Sequence, residues 1–255
     1  MITYLGADTE FSLAGKTAII TGGAAGIGLA TSEFFAKKGV NLIIADLNPK
    51  SDEIAKSLGS KNIGITGNIC DATYRASLIS KGEGVFGGVD ILVNSAGVAM
   101  LDKAEILSEE AWDKTMEVNL KASFMMAQAF GNYLINKSKP GTIVNIASQA
   151  GVIALDKHVA YCASKAGIIS LTQVLAMEWG KYGIRVNAVS PTVVLTELGR
   201  GAWDNPAGDA IKKEMPSGRF AEPDEIAGCI AFLCSDTAAM ITGHNLIIDG
   251  GYTIK

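Results

Sequence analysis

The sequence predicts an α/β fold, a doubly wound sheet of seven parallel strands with helices on both faces, and three observations carry that expectation. Short β-branched runs alternate with longer helical stretches along the chain, the order that builds a parallel sheet through right-handed crossovers. Several of the runs are almost continuously apolar, as suits strands covered by helices on both sides. The first run leads through a glycine-rich turn into an apolar helix, which would present free N–H groups and a positive dipole to an anion.

In order, the expected strands are Thr17 to Thr21, Asn41 to Ala45, Asn62 to Thr66, Ile91 to Asn94, Thr142 to Ile146, Arg185 to Val189 and Asn245 to Ile248. The helical stretches are Gly28 to Lys38, Lys50 to Leu58, Ala72 to Phe86, Glu109 to Ile135, Ala160 to Tyr182 and Asp224 to Leu233. No repeat, low-complexity tract or linker interrupts them, so residues 1–255 read as one domain. The long stretch Pro191 to Arg219 has no strand and carries Gly199, Gly201, Pro206, Gly208, Pro216 and Gly218. Such segments are usually lids or binding loops, and a substrate flap is expected at 191–219.

Bulk properties narrow the function. A chain of 255 residues buries about three-quarters of its unfolded surface, enough for a core without staples. Its 48% hydrophobic and 19% charged residues fit a compact protein. A net charge of −4 argues against nucleic acid or an anionic membrane as partner. No apolar run approaches the ~20 residues of a membrane helix, and Met1 to Phe11 lacks a basic start followed by an apolar stretch, so no secretory signal is read. Cys70, Cys162, Cys229 and Cys234 form no C-x-x-C pair and have two histidines for company, so no metal site is expected. They read as thiols of a reducing, cytoplasmic compartment. For Cys162 alone a catalytic role is the alternative.

The turn after the first strand is Thr21-Gly22-Gly23-Ala24-Ala25-Gly26-Ile27-Gly28. Glycines there permit a tight bend and close approach of backbone to a pyrophosphate. Asp46 closes the second strand at the distance where dinucleotide folds place a ribose reader. A carboxylate accepts from both ribose hydroxyls and repels a 2′-phosphate. Leu47 follows where an arginine would serve NADP, so NAD is the expected cofactor. The alternative for Asp46 is a turn residue before Asn48-Pro49.

The T-G-x-x-x-G-x-G spacing resembles the short-chain dehydrogenase/reductase family, and further motifs follow in that family's order over nearly the whole chain. Asn94-Ser95-Ala96-Gly97 resembles its N-x-A-G turn, Tyr161-Cys162-Ala163-Ser164-Lys165 its Y-x-A-S-K segment, and Asp249-Gly250-Gly251 its last strand. The resemblance implies a Rossmann fold and a nicotinamide-dependent interconversion of secondary alcohol and ketone. It places Gly22, Ala25, Gly26, Ile27, Gly28, Asp46, Leu47, Asn68, Ile69, Asn94, Ala96, Gly97, Pro191, Val194 and Thr196 along the cofactor. Two departures stand out: Asn68-Ile69, where relatives usually place an Asp against adenine, and Pro191-Thr192, where most have Pro-Gly.

Tyr161 and Lys165 are four apart and so share a helix face. A nearby ammonium favours the phenolate, which is expected to pull the tyrosine pKa down from ~10 and make it a proton-transfer group. By resemblance, Ser148 holds the substrate oxygen, Lys165 binds the nicotinamide ribose and Asn119 supports a proton-relaying water chain. Asn119 read alone is equally a local hydrogen-bonding residue on a core helix.

Gln149, Leu155, His158 and Trp203, with the run Pro191 to Thr196, resemble the sugar pocket of polyol dehydrogenases related to L-xylulose reductase. Gln and His can bond neighbouring hydroxyls and an indole can pack on a sugar's C–H edge. Against this stand bland readings: His158 as a satisfied residue at a helix start, Trp203 as a core plug or subunit contact, Gln149 as exposed. The resemblance also implies a homotetramer pairing the helices Glu109 to Ile135 and Ala160 to Tyr182, with Ala122, Ala127, Ala129, Ala163, Ala166 and Gly167 allowing close approach or serving internal packing. The expected function is NAD-linked oxidation of a small polyol. The runner-up is a 3-oxoacyl-carrier-protein reductase, and the remote alternative is a non-catalytic dinucleotide-binding protein.

Overall fold

The computed structural model describes residues 10–255, so most of the segment read as free of a secretory signal, Met1 to Thr9, lies outside the described residues. Seven parallel strands form one sheet in the order β3-β2-β1-β4-β5-β6-β7: β1 Thr17–Thr21, β2 Asn41–Asp46, β3 Ile63–Thr66, β4 Ile91–Asn94, β5 Gly141–Ile146, β6 Ile184–Pro191 and β7 Asn245–Ile248. The interior strands β1, β4 and β5 are almost wholly buried, which accounts for their unbroken apolar runs.

On one face lie α1 (Gly26–Lys37), α2 (Ser51–Ser57) and α9 (Pro223–Cys234), sealing a core that includes Ile20, Ile44, Val144, Phe35 and Ile230. On the other lie α3 (Ala72–Phe86), α5 (Ser123–Lys137) and α6 (Val159–Trp179), packed over Ile19, Leu92, Ile143 and Val186. Chain order reverses between β1 and β4, and the crevice at the carboxyl ends of those strands is where open α/β sheets bind ligands.

Three findings differ from the sequence expectation. The helix expected over Glu109 to Ile135 is α4 (Glu109–Thr115) joined to α5 through a wide π-helical turn, Met116–Ala122. Such turns interrupt the normal ladder and recur at functional sites. The stretch 191–219 is partly helical: Thr196 caps α7 (Glu197–Trp203), and Asn205 with Pro206 starts α8 (Pro206–Glu214). Side-chain caps and an N1 proline outweigh the glycine content there. Finally, Val159–Tyr182 is long and apolar enough to cross a membrane, contrary to the reading that no run approaches that length. Part of its apolar surface packs inside the chain, where Ile168, Leu175, Ala176 and Trp179 are buried against the sheet.

Candidate active site

The cofactor end is built where β1 and β4 diverge. Gly22 has φ +64°, and a Cβ there would lie 2.9 Å from the Ala96 backbone. A Cβ on Gly28 would lie 2.0 Å from the Gly22 carbonyl oxygen, so both positions require glycine. Thr21 locks the two loops together: its Oγ1 accepts from the N–H groups of Ser95 (3.1 Å) and Ala96 (3.2 Å). Sequence reasoning assigned Thr21 no role, although its place at the end of a strand before glycine was a signal. At the start of α1 the N-cap residue Ala25 provides no side-chain hydrogen bond and the first turn has no acidic residue. The N–H groups at this end are therefore left for an anion, and the cradle fits a dinucleotide pyrophosphate.

Asp46 lies beside that turn. One carboxylate oxygen accepts from Ala24 N–H (3.0 Å) and the other from Asn48 N–H (3.0 Å). The side chain is thus both a turn residue and a carboxylate with a free lone pair on each oxygen, able to hold ribose hydroxyls but not a 2′-phosphate. Leu47 is exposed. Asn68 is exposed too, its carbonyl accepting from Cys70 N–H (3.0 Å), and the Ile69 carbonyl accepts from Arg75 (2.7 Å). The start of the flap closes on the glycine turn, with Thr196 Cγ2 3.5 Å from where a Gly26 Cβ would stand. Val194 is buried and bridges to Ala221, and Pro191 ends β6.

The chemical end gathers Ser148, Tyr161, Lys165 and Asn119. Ser148 follows β5, and its hydroxyl accepts from Ala150 N–H (3.1 Å) and is hydrogen-bonded to Tyr161. Lys165 is buried one helical turn beyond Tyr161; its Nζ donates to the Ile146 carbonyl (2.7 Å) and stands 5.5 Å from the tyrosine ring centroid. Asn119 is buried in the π-helical turn. Its Oδ1 accepts from Val98 N–H (2.8 Å), and its Nδ2 donates to the Val98 carbonyl (2.9 Å) and to Ser164 Oγ (3.2 Å). These partners are distant in sequence, so Asn119 is not a locally bonded residue; it ties the loop after β4 to α6. Ser164, which in turn donates to the Tyr161 carbonyl (2.8 Å), is a second residue to which the sequence, though it placed it in the Y-x-A-S-K segment, assigned no role.

The expected direction of the tyrosine shift is overturned. Burial is the largest influence and raises the Tyr161 pKa; the hydrogen bond with Ser148 opposes it, and Cys162 adds to the rise. Burial also lowers the Lys165 pKa, to about 8, and its ammonium donates to a backbone carbonyl.

Of the expected pocket residues, Gln149 is 5% exposed, which removes the exposed reading, and its Oε1 has no partner. His158 stands at the N-cap position of α6 without a side-chain capping bond, its Nδ1 lies 2.5 Å from the Asp156 carbonyl, and its ring meets Tyr161 edge-on at 6.0 Å. Lys157 before it has φ +63°, a strained value for a non-glycine residue. Leu155 is half-buried in the same loop and accepts from His158 N–H (3.3 Å). Trp203, on the flap itself, packs edge-on against the buried Phe220 at 6.3 Å, the contact of a core plug.

Comparison with known proteins adds three findings. The family model described as enoyl-(acyl carrier protein) reductase matches residues 22–253. An NAD-dependent glycerol dehydrogenase of Listeria innocua is 52% identical over 255 residues, covering 100% of both chains, and a D-threitol dehydrogenase of Mycolicibacterium smegmatis is 52% identical, covering 98% of both. Among solved structures, a short-chain type dehydrogenase/reductase from Mycobacterium marinum matches with a TM-score of 0.89 at 30% identity, covering 96% of this chain and 98% of that one.

Proposed function

This chain belongs to the short-chain dehydrogenase/reductase family, and from that premise we propose that it oxidises a secondary hydroxyl of a small polyol to a ketone with NAD. The observation that carries the reading is the cluster of Ser148, Tyr161 and Lys165 beside the buried Gln149. The relatives named for glycerol and D-threitol support the substrate class, and the name of the first supports NAD. Asp46, which would repel the extra phosphate of NADP, supports it independently.

Bound NAD supplies the hydride acceptor. Ser148 Oγ holds the substrate oxygen beside the Tyr161 hydroxyl, and the ionised Tyr161 takes the hydroxyl proton as general base. Lys165, charged at neutral pH with its pKa at about 8 and 5.5 Å from the Tyr161 ring centroid, favours that ionised form and would hold a ribose hydroxyl of the cofactor. Asn119 holds Val98 and Ser164 in register, positioning the cofactor loop against the helix that carries Tyr161. Gln149 and His158 receive neighbouring hydroxyls, and the segment 191–219 acts as a flap over them within a one-domain chain.

An acyl-carrier-protein substrate fits less well. Of the basic side chains available to dock an acidic carrier, Lys103, Lys157 and Arg200, the last is paired with Glu222 at 2.9 Å. We further read the working state as a cytoplasmic homotetramer. Val174 and Met177 are exposed on α6 and Trp112 on α4, and Ile247 and Ile254 are exposed at the β7 edge, apolar surface that a second copy would cover. Ala122 and Ala127 are buried within the chain and Gly167 packs on Leu120, so these small residues serve internal packing. The four free cysteines suit a reducing compartment.

The test is NAD reduction over glycerol and four- to six-carbon alditols, repeated with NADP and alongside a short 3-oxoacyl thioester. Polyol turnover with NAD, abolished by Tyr161→Phe without loss of NAD binding, is expected. Turnover of the thioester and of no polyol would refute the reading.

A further inference from the structure

Among the described residues, three buried side-chain polar atoms lack a hydrogen-bond partner: Asn94 Oδ1, Gln149 Oε1 and Thr192 Oγ1. All three follow or end adjacent strands at the carboxyl edge of the sheet, where β4, β5 and β6 meet the site. Such atoms are rare because leaving one unpaired is costly, and their confinement to this edge indicates groups built for a ligand. Gln149 already belongs to the expected pocket. Thr192 does not.

Thr192 lies three residues beyond Val189, as Gln149 lies three beyond Ile146, and Val189 and Ile146 are paired partners in the sheet. Its N–H donates to the Ile248 carbonyl (3.0 Å), so the strand direction continues through it and the side chain keeps the alternation of β6. Ala188 packs against Ile168 on the α6 face, and two alternations later Thr192 shares that face. The climb from Ala188 to Thr192 is about 13 Å of strand, and from Ile168 back to Tyr161 about 10 Å of helix. Thr192 therefore comes level with Tyr161, its side chain 8% exposed.

We propose that Thr192 is a specificity-determining residue whose hydroxyl bonds the substrate hydroxyl next to the reacting carbinol, with Gln149 as its co-receptor. The inference rests on the polyol reading above. It explains why both atoms are unpaired: each lacks a protein partner because the substrate supplies one, and an alcohol without the second hydroxyl leaves them desolvated and unbonded.

The experiment compares Thr192→Val, which keeps the shape and removes the hydroxyl, with Thr192→Ser, which keeps the hydroxyl. Thr192→Val is expected to raise KM for the best polyol about tenfold or more while the NAD dissociation constant, read by fluorescence titration, stays at the wild-type value. Thr192→Ser is expected to stay within about threefold of wild type, and the thermal midpoint of Thr192→Val should be no lower than wild type, because a methyl replaces an unpaired buried hydroxyl. An unchanged KM, a Ser variant as impaired as Val, or NAD affinity falling in step with KM would each overturn the proposal, the last by assigning the hydroxyl to the cofactor. If Thr192→Val does not fold, Thr192→Ala carries the same expectations for KM and NAD. A wild-type enzyme that oxidises no polyol fails the functional reading and takes this inference with it; polyol turnover indifferent to Thr192 fails the inference alone.

Discussion

Replacing Lys165 by methionine should leave the fold intact, remove turnover and change how stability depends on pH. Burial without a carboxylate partner lowers the lysine pKa from 10.5 to about 8. At about 1.4 kcal/mol per pKa unit, holding the ammonium in the folded protein costs about 3 kcal/mol at neutral pH. Methionine removes that cost but leaves the Ile146 carbonyl, now bonded at 2.7 Å, without its donor, a loss of about 1–3 kcal/mol. The variant should therefore lie close to wild type or slightly above it at pH 7.

The pH dependence is sharper, because the carbonyl contribution does not titrate. The folded-state pKa lies below the unfolded one, so between about pH 8 and 10.5 the unfolded chain binds more protons and wild-type stability rises with pH through this group. Between pH 7 and about pH 9.5 the wild type should gain about 2 kcal/mol on Lys165→Met. Urea denaturation of both proteins at equal concentration across that range measures the difference. Parallel stability curves would show that Lys165 is not depressed, and the reasoning from burial would be wrong.

Other outcomes follow from the same geometry. With Tyr161 held above its ordinary pKa by burial, little of it is ionised at neutral pH. Oxidation should therefore quicken with pH up to about 8 and climb less steeply above, where Lys165 loses its charge; initial rates from pH 6 to 9 that stay flat would contradict this. Gly28→Ala drives a Cβ to 2.0 Å from the Gly22 oxygen, so it should weaken NAD binding at least about a hundredfold and cost about 1–3 kcal/mol of stability, measured by titration and melting. Asp46→Ala should narrow the preference for NAD over NADP by about tenfold or more and cost about 1–2 kcal/mol, since two backbone N–H groups lose their acceptor; comparing kcat/KM with the two cofactors checks it.

How much of this was legible in the sequence depends on the range of the interaction. Strands β1, β4 and β7 and helix α3 lie where the pattern of apolar residues and turns placed them, because periodicity and capping are written within a few residues. Gly22 and Gly28 were legible for the same reason, and so was the pairing of Tyr161 with Lys165, four apart on one helix. The helices of the flap had local signals in Thr196, Asn205 and Pro206, which the many glycines obscured.

The remainder arises between residues far apart in the chain. Thr21 bonds Ser95 and Ala96 more than seventy positions away, Asn119 is fixed by Val98 and Ser164, and Trp203 rests on Phe220. No local pattern encodes such partners. The sequence by itself determined the fold class, the glycine-rich turn after β1 and the placing of Tyr161 and Lys165 on one helix face. Only the tertiary structure decided that Gln149 and Thr192 are buried with unpaired oxygens, and that Tyr161 is held above its ordinary pKa and Lys165 below. A titration or an unmet hydrogen bond is set by everything packed around the atom, and that surrounding is assembled by folding.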